Sequence, residues 1–407
     1  MRERAVRAIT ECQKIASMTE EPGRITRRFL TPPVRDVHAH LRKRMEAMSM
    51  QVGVDAAGNL RGLWRPPGAS SKRLILGSHI DTVPDAGAFD GLLGVTLALE
   101  WVELAREMHF PIAIEVVAFS EEEGVRFGVP FIGSRAVAGR FDPSLLALKD
   151  SDGLTLEDAI RAFGLDPSKI SEAALDEDLL GFVEIHIEQG PVLEDEGLSV
   201  AAVTGIVGQS RATLEFTGQA NHAGTTPMHL RRDALAVAAE WIAAVEAMAL
   251  RTEGLVATVG KIVAGPNAEN VIAGTAQVTL DVRHLHDAAR IAAVGALLEN
   301  AKDIATRRGL TLQCMPQLDQ PAVTMDERLT AFMAEAIEAA GLSLKRMSSG
   351  AGHDAMVMAS RVPTAMLFLR SPGGVSHNPA EAVREEDVEA SLRVGRKFLE
   401  RLAAEVR

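Results

Sequence analysis

Four separate parts of the chain deliver a histidine or a carboxylate where an apolar run gives out. Residues 74–77 lead into His79 and Asp81, and Asp90 follows just before Gly91 opens a second apolar stretch. Residues 113–119 (AIEVVAF) run into Glu121, Glu122 and Glu123. In FVEIHIEQG, Val183, Ile185 and Ile187 alternate with Glu184, His186 and Glu188, so period two puts the latter three on one face. Past residues 365–369 a glycine-rich loop delivers His377. His, Asp and Glu are the ligand types that suit zinc and other divalent transition ions. Nitrogen and oxygen donors in this number exceed one tetrahedral ion and suit two ions sharing a carboxylate, with a spare glutamate as base. Each feature alone has a plainer reading. A histidine at a strand end is usually solvated, a glutamate run suits a helix N-terminus, and Asp90 before glycine could be a cap or turn residue. Only their combination points to a metal centre, and the residues alone leave the two readings balanced.

The rest of the chain must position these groups. Its 407 residues are 47% apolar and 24% charged, an ordinary soluble globular mixture that roughly two to three domains would accommodate. The formal charge of −12 gives no counterion-release gain on phosphate backbones, which argues against nucleic-acid binding. Cys12 and Cys314 lie far apart and suggest reduced thiols. Residues 1–14 mix Arg and Glu and lack the apolar core of a secretory signal. No stretch approaches the roughly 18–20 apolar residues of a spanning helix. A soluble, cytoplasmic protein with no membrane partner is expected.

Apolar spacing predicts helices near the start and after Pro32–Pro33, then strands alternating with helices, as in an α/β sheet covered by helices on both faces. The middle third changes character. Residues 211–218, 255–263, 276–284 and 310–315 read as strands, and 232–250 and 287–308 as helices, with Leu235, Ala238, Ile242, Val245 and Ala249 facing inward on the first. That order, β-α-β-β-α-β, is the ferredoxin-like split unit. We therefore expect a catalytic domain of residues 1–208 and 322–407, with an inserted domain at 209–321.

The segments HIDTVPDAGAFDG, SEEEGVRF, HIEQGPVLE, NHAGTTPM, SGAGHDA and GGVSHNPAE occur in this order between about residues 74 and 380. Together they resemble the amidohydrolase branch of the zinc aminopeptidase/carboxypeptidase superfamily, which contains allantoate amidohydrolases, N-carbamoyl-L-amino acid hydrolases and β-ureidopropionases. Ala86 departs from the pattern, where glycine is common. The resemblance implies two divalent metal ions per subunit, zinc or manganese, with cobalt or nickel as alternatives. One would be held by His79, Asp90 and His186, the other by Asp90, Glu123 and His377. Glu122 would be the general base and Asp81 the partner that orients His79. His222 would donate to the oxyanion, and Gln189, Asn270, Arg283 and His353 would bind substrate. His186 stands where the superfamily's peptidases usually have a carboxylate, which favours ureido cleavage over peptide cleavage.

The resemblance also makes the inserted domain a lid and the interface of a homodimer, with His222 presented across that interface. The expected reaction is release of ammonia and carbon dioxide from a linear ureido acid, allantoate first and an N-carbamoyl-L-amino acid close behind. An aminopeptidase or dipeptidase is the alternative, and a metal-holding protein that binds without turnover a remote one. His38, His40, His109, His229, His284 and His286 carry no such motif and are expected to be surface or structural.

Overall fold

The computed structural model describes residues 1–69, 71–176 and 179–406. Contacts divide the chain into two compact units, Met1–Thr204 with Met325–Arg407, and Gly205–Thr324. In the first unit, α1 (Arg2–Ala16) and α2 (Pro32–Ala47) precede β1 (Gln51–Val54), β2 (Leu60–Trp64) and β3 (Arg73–His79). Then come α3 (Leu92–Glu107), β4 (Ala113–Phe119), α4 (Ile132–Val137), α5 (Leu156–Ala162), β5 (Leu179–Ile187), α6 (Val192–Asp195) and β6 (Val200–Ile206). The second unit carries β7 (Gly208–Thr217), β8 (Asn221–His222), α7 (Ala234–Arg251), β9 (Val256–Thr258) and β10 (Ile262–Gly265). It continues through β11 (Val271–Ile272), β12 (Thr275–His284), α8 (Asp287–Arg307), β13 (Thr311–Gln320) and β14 (Val323–Thr324). The chain returns to the first unit with α9 (Glu327–Ala339), β15 (Arg346–Ser349), α10 (Asp354–Met358), β16 (Thr364–Leu369) and α11 (Glu385–Val406).

In the first unit β4, β3, β5 and β16 lie side by side and run parallel. Antiparallel β2 and β1 extend one side and antiparallel β6 the other. A parallel strand covered on both faces is largely apolar, and every residue of AIEVVAF is buried, its one charge, Glu115, paired with Arg61 at 2.7 Å and Arg73 at 2.9 Å. Helix α3 is buried almost all round, including Leu93, Leu97 and Trp101. Each such side chain taken from water contributes about 1.5–3 kcal/mol, which pins the helix that follows Asp90. Proline in the first turn starts α2, and Val34, Val37, Leu41 and Met45 recur on its buried face. Among the described residues, no helix is long and apolar enough to cross a membrane.

The second unit is an antiparallel sheet in the order β10-β12-β7-β13, with β9 also on β12. The first long strand thus lies between the third and fourth, with α7 and α8 as the two long helices. Two details differ from the sequence expectation. The strand expected at 255–263 is broken around Gly260, where the Thr279 N–H donates to the Lys261 carbonyl at 3.1 Å and both halves still pair with β12. The inward face of α7 is Ala234, Val237, Ala238, Trp241 and Val245, leaving Leu235 outside. Trp241 sets this rotation, because its Nε1–H donates to the Leu297 carbonyl of α8 at 2.9 Å and its ring meets Phe216 edge-on.

Candidate metal centre

Parallel strands share a carboxyl-terminal edge, and ligands of open α/β sheets bind there. His79 ends β3, Glu122 and Glu123 follow β4, His186 lies near the end of β5, and His377 follows β16. Asp90 precedes α3 and reaches the same edge. Its Oδ1 lies 3.3 Å from His186 Nε2 and 3.8 Å from His79 Nε2. Its Oδ2 lies 3.1 Å from His377 Nε2, which is 3.5 Å from Glu123 Oε1. Two ligand groups therefore meet at Asp90: His79 with His186, and Glu123 with His377.

The tautomers test whether a cation fits. His79 Nδ1 faces the Asp81 carbonyl at 3.0 Å and His186 Nδ1 the Ile187 carbonyl at 2.9 Å. A carbonyl can only accept, so each Nδ1 carries the hydrogen, and in the neutral imidazole each Nε2 presents a lone pair. Those two lone pairs point together at 3.5 Å, beside a carboxylate. Glu123 Oε1 is also buried without a hydrogen-bond partner. Such convergence is repulsive until positive charge sits within it, and imidazole with carboxylate suits zinc, manganese, cobalt or nickel.

The surrounding chain holds these groups in place. The Asp81 carboxylate accepts the Glu122 and Glu123 N–H groups, each at 3.0 Å, so it shapes the glutamate turn. It is the Asp81 carbonyl that orients the His79 ring, since the carboxylate lies 3.6 Å from Nδ1. Gly91 has φ of +64°, and a methyl there would lie 2.4 Å from the His79 ring. Glycine lets the Asp90 turn close over the imidazole. Ala86, the departure noted above, is buried and donates its N–H to the Ile25 carbonyl at 2.8 Å.

Of the substrate-binding candidates, Gln189 Nε2 lies 3.2 Å from both Asp90 oxygens and 3.1 Å from Ser376 Oγ. The buried His353 ring meets His186 edge-on at 4.4 Å between centroids, and its Nε2 lies 2.8 Å from Ser349 Oγ. His222, Asn270 and Arg283 belong to the second unit. His222 Nδ1 accepts the Gly224 N–H at 3.0 Å and the Thr225 N–H at 3.2 Å, so its Nε2 bears the hydrogen, as a donor must. The Asn270 carbonyl accepts the Ala223 N–H at 2.9 Å, which brings Asn270 beside the His222 turn. Arg283 Nε donates to Asp281 Oδ1 at 2.9 Å and Nη2 to Oδ2 at 3.1 Å. This fork already holds a carboxylate of the same unit.

Several supporting carboxylates escaped the sequence reading. Glu184 is fully buried, accepting from Ser78 Oγ at 2.9 Å and from the Ala355 N–H at 2.8 Å. It ties the strands of His79 and His186 to the start of α10 beside His353. The signal was its place on the His186 face. Glu381 accepts the Phe89 and Asp90 N–H groups. Glu121 accepts the Phe29 and Arg126 N–H groups and so anchors the glutamate run from behind. Partners this distant in sequence leave no local pattern.

Burial dominates the electrostatics. It pushes the Glu122 carboxyl well above the usual range, with Glu123, Asp354 and Asp81 adding to the push and His79 opposing it. Burial raises Glu121 to about 8 and Glu123, Glu184 and Glu381 to about 7. Burial would raise Asp90 too, but the His377 hydrogen bond and the His186 and His79 charges draw it below its ordinary value. Burial holds His38 and His186 down to about 4.

A stability prediction follows for the metal-free protein. The raised carboxyls bind more protons folded than unfolded, so their contribution is complete below 4.5 and is lost as pH rises through about 7 to 8. Buried His38 and His186 act oppositely, but only below their ordinary 6.5. Urea unfolding of chelated protein should therefore show stability falling between about pH 6.5 and 8.5. Metal should flatten that fall, because a dication favours the carboxylate form. A flat or rising profile in the chelated protein would refute this.

Residues 75–403 match Peptidase family M20/M25/M40. The chain is 35% identical to an allantoate deiminase of Arabidopsis thaliana, over 97% of this chain and 81% of the relative. It is 38% identical to an N-carbamoyl-L-amino acid amidohydrolase of Geobacillus stearothermophilus, over 90% of each. A crystal structure of an amidase of the hydantoinase/carbamoylase family from Burkholderia multivorans superposes with a TM-score of 0.92 at 32% identity, covering 98% of this chain and 97% of that one. The chain belongs to Peptidase family M20/M25/M40, in the branch whose members are named as amidohydrolases of non-peptide carbon–nitrogen bonds.

Proposed function

We propose that this protein hydrolyses the terminal carbamoyl C–N bond of a linear ureido acid, with allantoate as first substrate and an N-carbamoyl-L-amino acid as the close second. The observation that carries the reading is the meeting of two ligand groups at Asp90, with Glu122 beside them and outside both. His79, Asp90 and His186 would hold one divalent ion, and Asp90, Glu123 and His377 a second. Zinc or manganese, when bound, would supply Lewis acidity to the attacked carbonyl and to water. Glu122 takes a proton from the attacking water and passes it to the departing nitrogen. Ammonia leaves, and the remaining carbamate splits into carbon dioxide and amine.

A base with a raised pKa suits both halves of that transfer. His222 Nε2–H donates to the developing oxyanion. Arg283 and Asn270 hold the substrate carboxylate, Arg283 exchanging Asp281 for it, and Gln189 and His353 contact the ureido group. Ammonia release by metal-loaded protein should be measured against allantoate, N-carbamoyl-L-amino acids, 3-ureidopropionate and a dipeptide panel. Turnover of one ureido acid far above the dipeptides supports the reading, and the reverse order makes the protein a peptidase.

The inserted unit is the lid and the interface of a homodimer in this reading. Val256, Ile262, Val263 and Ile291 are each about half exposed there, and β10 is an edge strand. Exposed edge strands with apolar side chains are rare without a partner. Light scattering should give twice the chain mass, and Val263→Glu should halve it and lower kcat by removing a His222 supplied across the interface. A monomeric, fully active wild type would remove that role. Both cysteines are free, which fits a reducing cytoplasm.

A further inference from the structure

We propose that Glu381 is a positioning residue that splints the Asp90 turn to the His377 loop, and so sets the Asp90–Glu123–His377 half of the centre. The inference rests on the metal-centre reading above. His79 and His186 sit on adjoining regions of a rigid parallel sheet. The other half is built from turns and loops: Asp90 precedes α3, Glu123 follows β4, and His377 is 48% exposed in its side chain with φ of +54°. Something must hold these segments in register.

Glu381, four positions after His377, is 6% exposed. Its Oε1 accepts two successive N–H groups of the Asp90 turn, Phe89 at 2.9 Å and Asp90 at 3.0 Å. Its Oε2 accepts from Ser376 Oγ, next to His377, at 3.1 Å. The same hydroxyl accepts from Gln189 Nε2, which reaches both Asp90 oxygens, so the contacts close into a ring. Gly87 makes room for the carboxylate, since a methyl there would lie 2.3 Å from both Glu381 Cβ and Oε1. Burying a carboxylate close to Asp90 is costly for the fold. Three hydrogen bonds reaching both segments recover that cost only if the segments are to be held together.

The test uses the full chain, with zinc affinities of both sites measured by chelator competition and folding followed by thermal melts. Glu381→Ala should weaken the ion of Asp90, Glu123 and His377 by about 10- to 100-fold and the ion of His79, Asp90 and His186 by less, since the latter shares only Asp90 with the loosened segments. Glu381→Gln should restore most of the loss, because its oxygen still accepts both N–H groups and its amide donates to Ser376. Ser376→Ala, which removes the hydroxyl's links to Glu381 and Gln189 but leaves the Glu381 bonds to the Phe89 and Asp90 N–H groups, should reproduce the selective loss if Glu381→Ala folds poorly. Equal weakening of both ions, wild-type affinity for both in Glu381→Ala, or no rescue by Gln would overturn the proposal. An inactive wild type would overturn the proposed reaction and leave these affinities readable.

Discussion

Replacing Glu122 with Gln should leave both metals bound and lower kcat by about 10²- to 10⁴-fold, the usual worth of a general acid–base group. Glu122 stands outside both groups that meet at Asp90, although it lies within ligand range of His79 and Glu123. Its N–H is held by Asp81 Oδ1 at 3.0 Å, so the isosteric amide keeps the same place. What is lost is the ability to take a proton, a loss felt in the transition state and little in binding. KM should therefore change far less than kcat. Metal analysis alongside steady-state kinetics checks this. Near-wild-type turnover with metal in place would show that another group moves the proton.

Asp90→Ala should have the broadest effect, because Asp90 is the residue common to both groups. Its two oxygens face different partners, His79 and His186 on one side and His377 on the other. Without it neither set keeps three donors, and two imidazole lone pairs remain opposed. Gel-filtered Asp90→Ala protein should carry almost no zinc and release no more ammonia than chelated wild type. Metal at a hundredfold excess over Kd should raise wild-type stability by about 2.7 kcal/mol for each ion bound and leave the variant's melting temperature unmoved. A variant that still binds two ions would show that the shared carboxylate lies elsewhere.

Much of this site was legible because its parts sit at strand ends. Alternation in FVEIHIEQG placed Glu184 and His186 on one face, and the β-rich run AIEVVAF marked a strand, all of whose residues are buried. Parallel strands then carry distant residues to one edge, which is why His79, Glu123, His186 and His377 converge. Roles that depend on tertiary partners were not legible. The division of labour between the Asp81 carbonyl and carboxylate, and the bond from Glu381 to a turn almost three hundred residues earlier, leave no periodic trace. On α7, Ala238, Val245 and Ile242 do face the core, but Leu235 does not, because Trp241 bonds to α8 and takes the inward position, a preference the apolar spacing could not reveal.

Titrating metal-free protein with zinc or manganese while recording ammonia release from allantoate and N-carbamoyl-L-amino acids tests the central claim most directly. The account predicts no release from the chelated protein and a rise with added metal that levels off at two ions per chain. Release without metal, or no release from any ureido acid once both ions are bound, would contradict it.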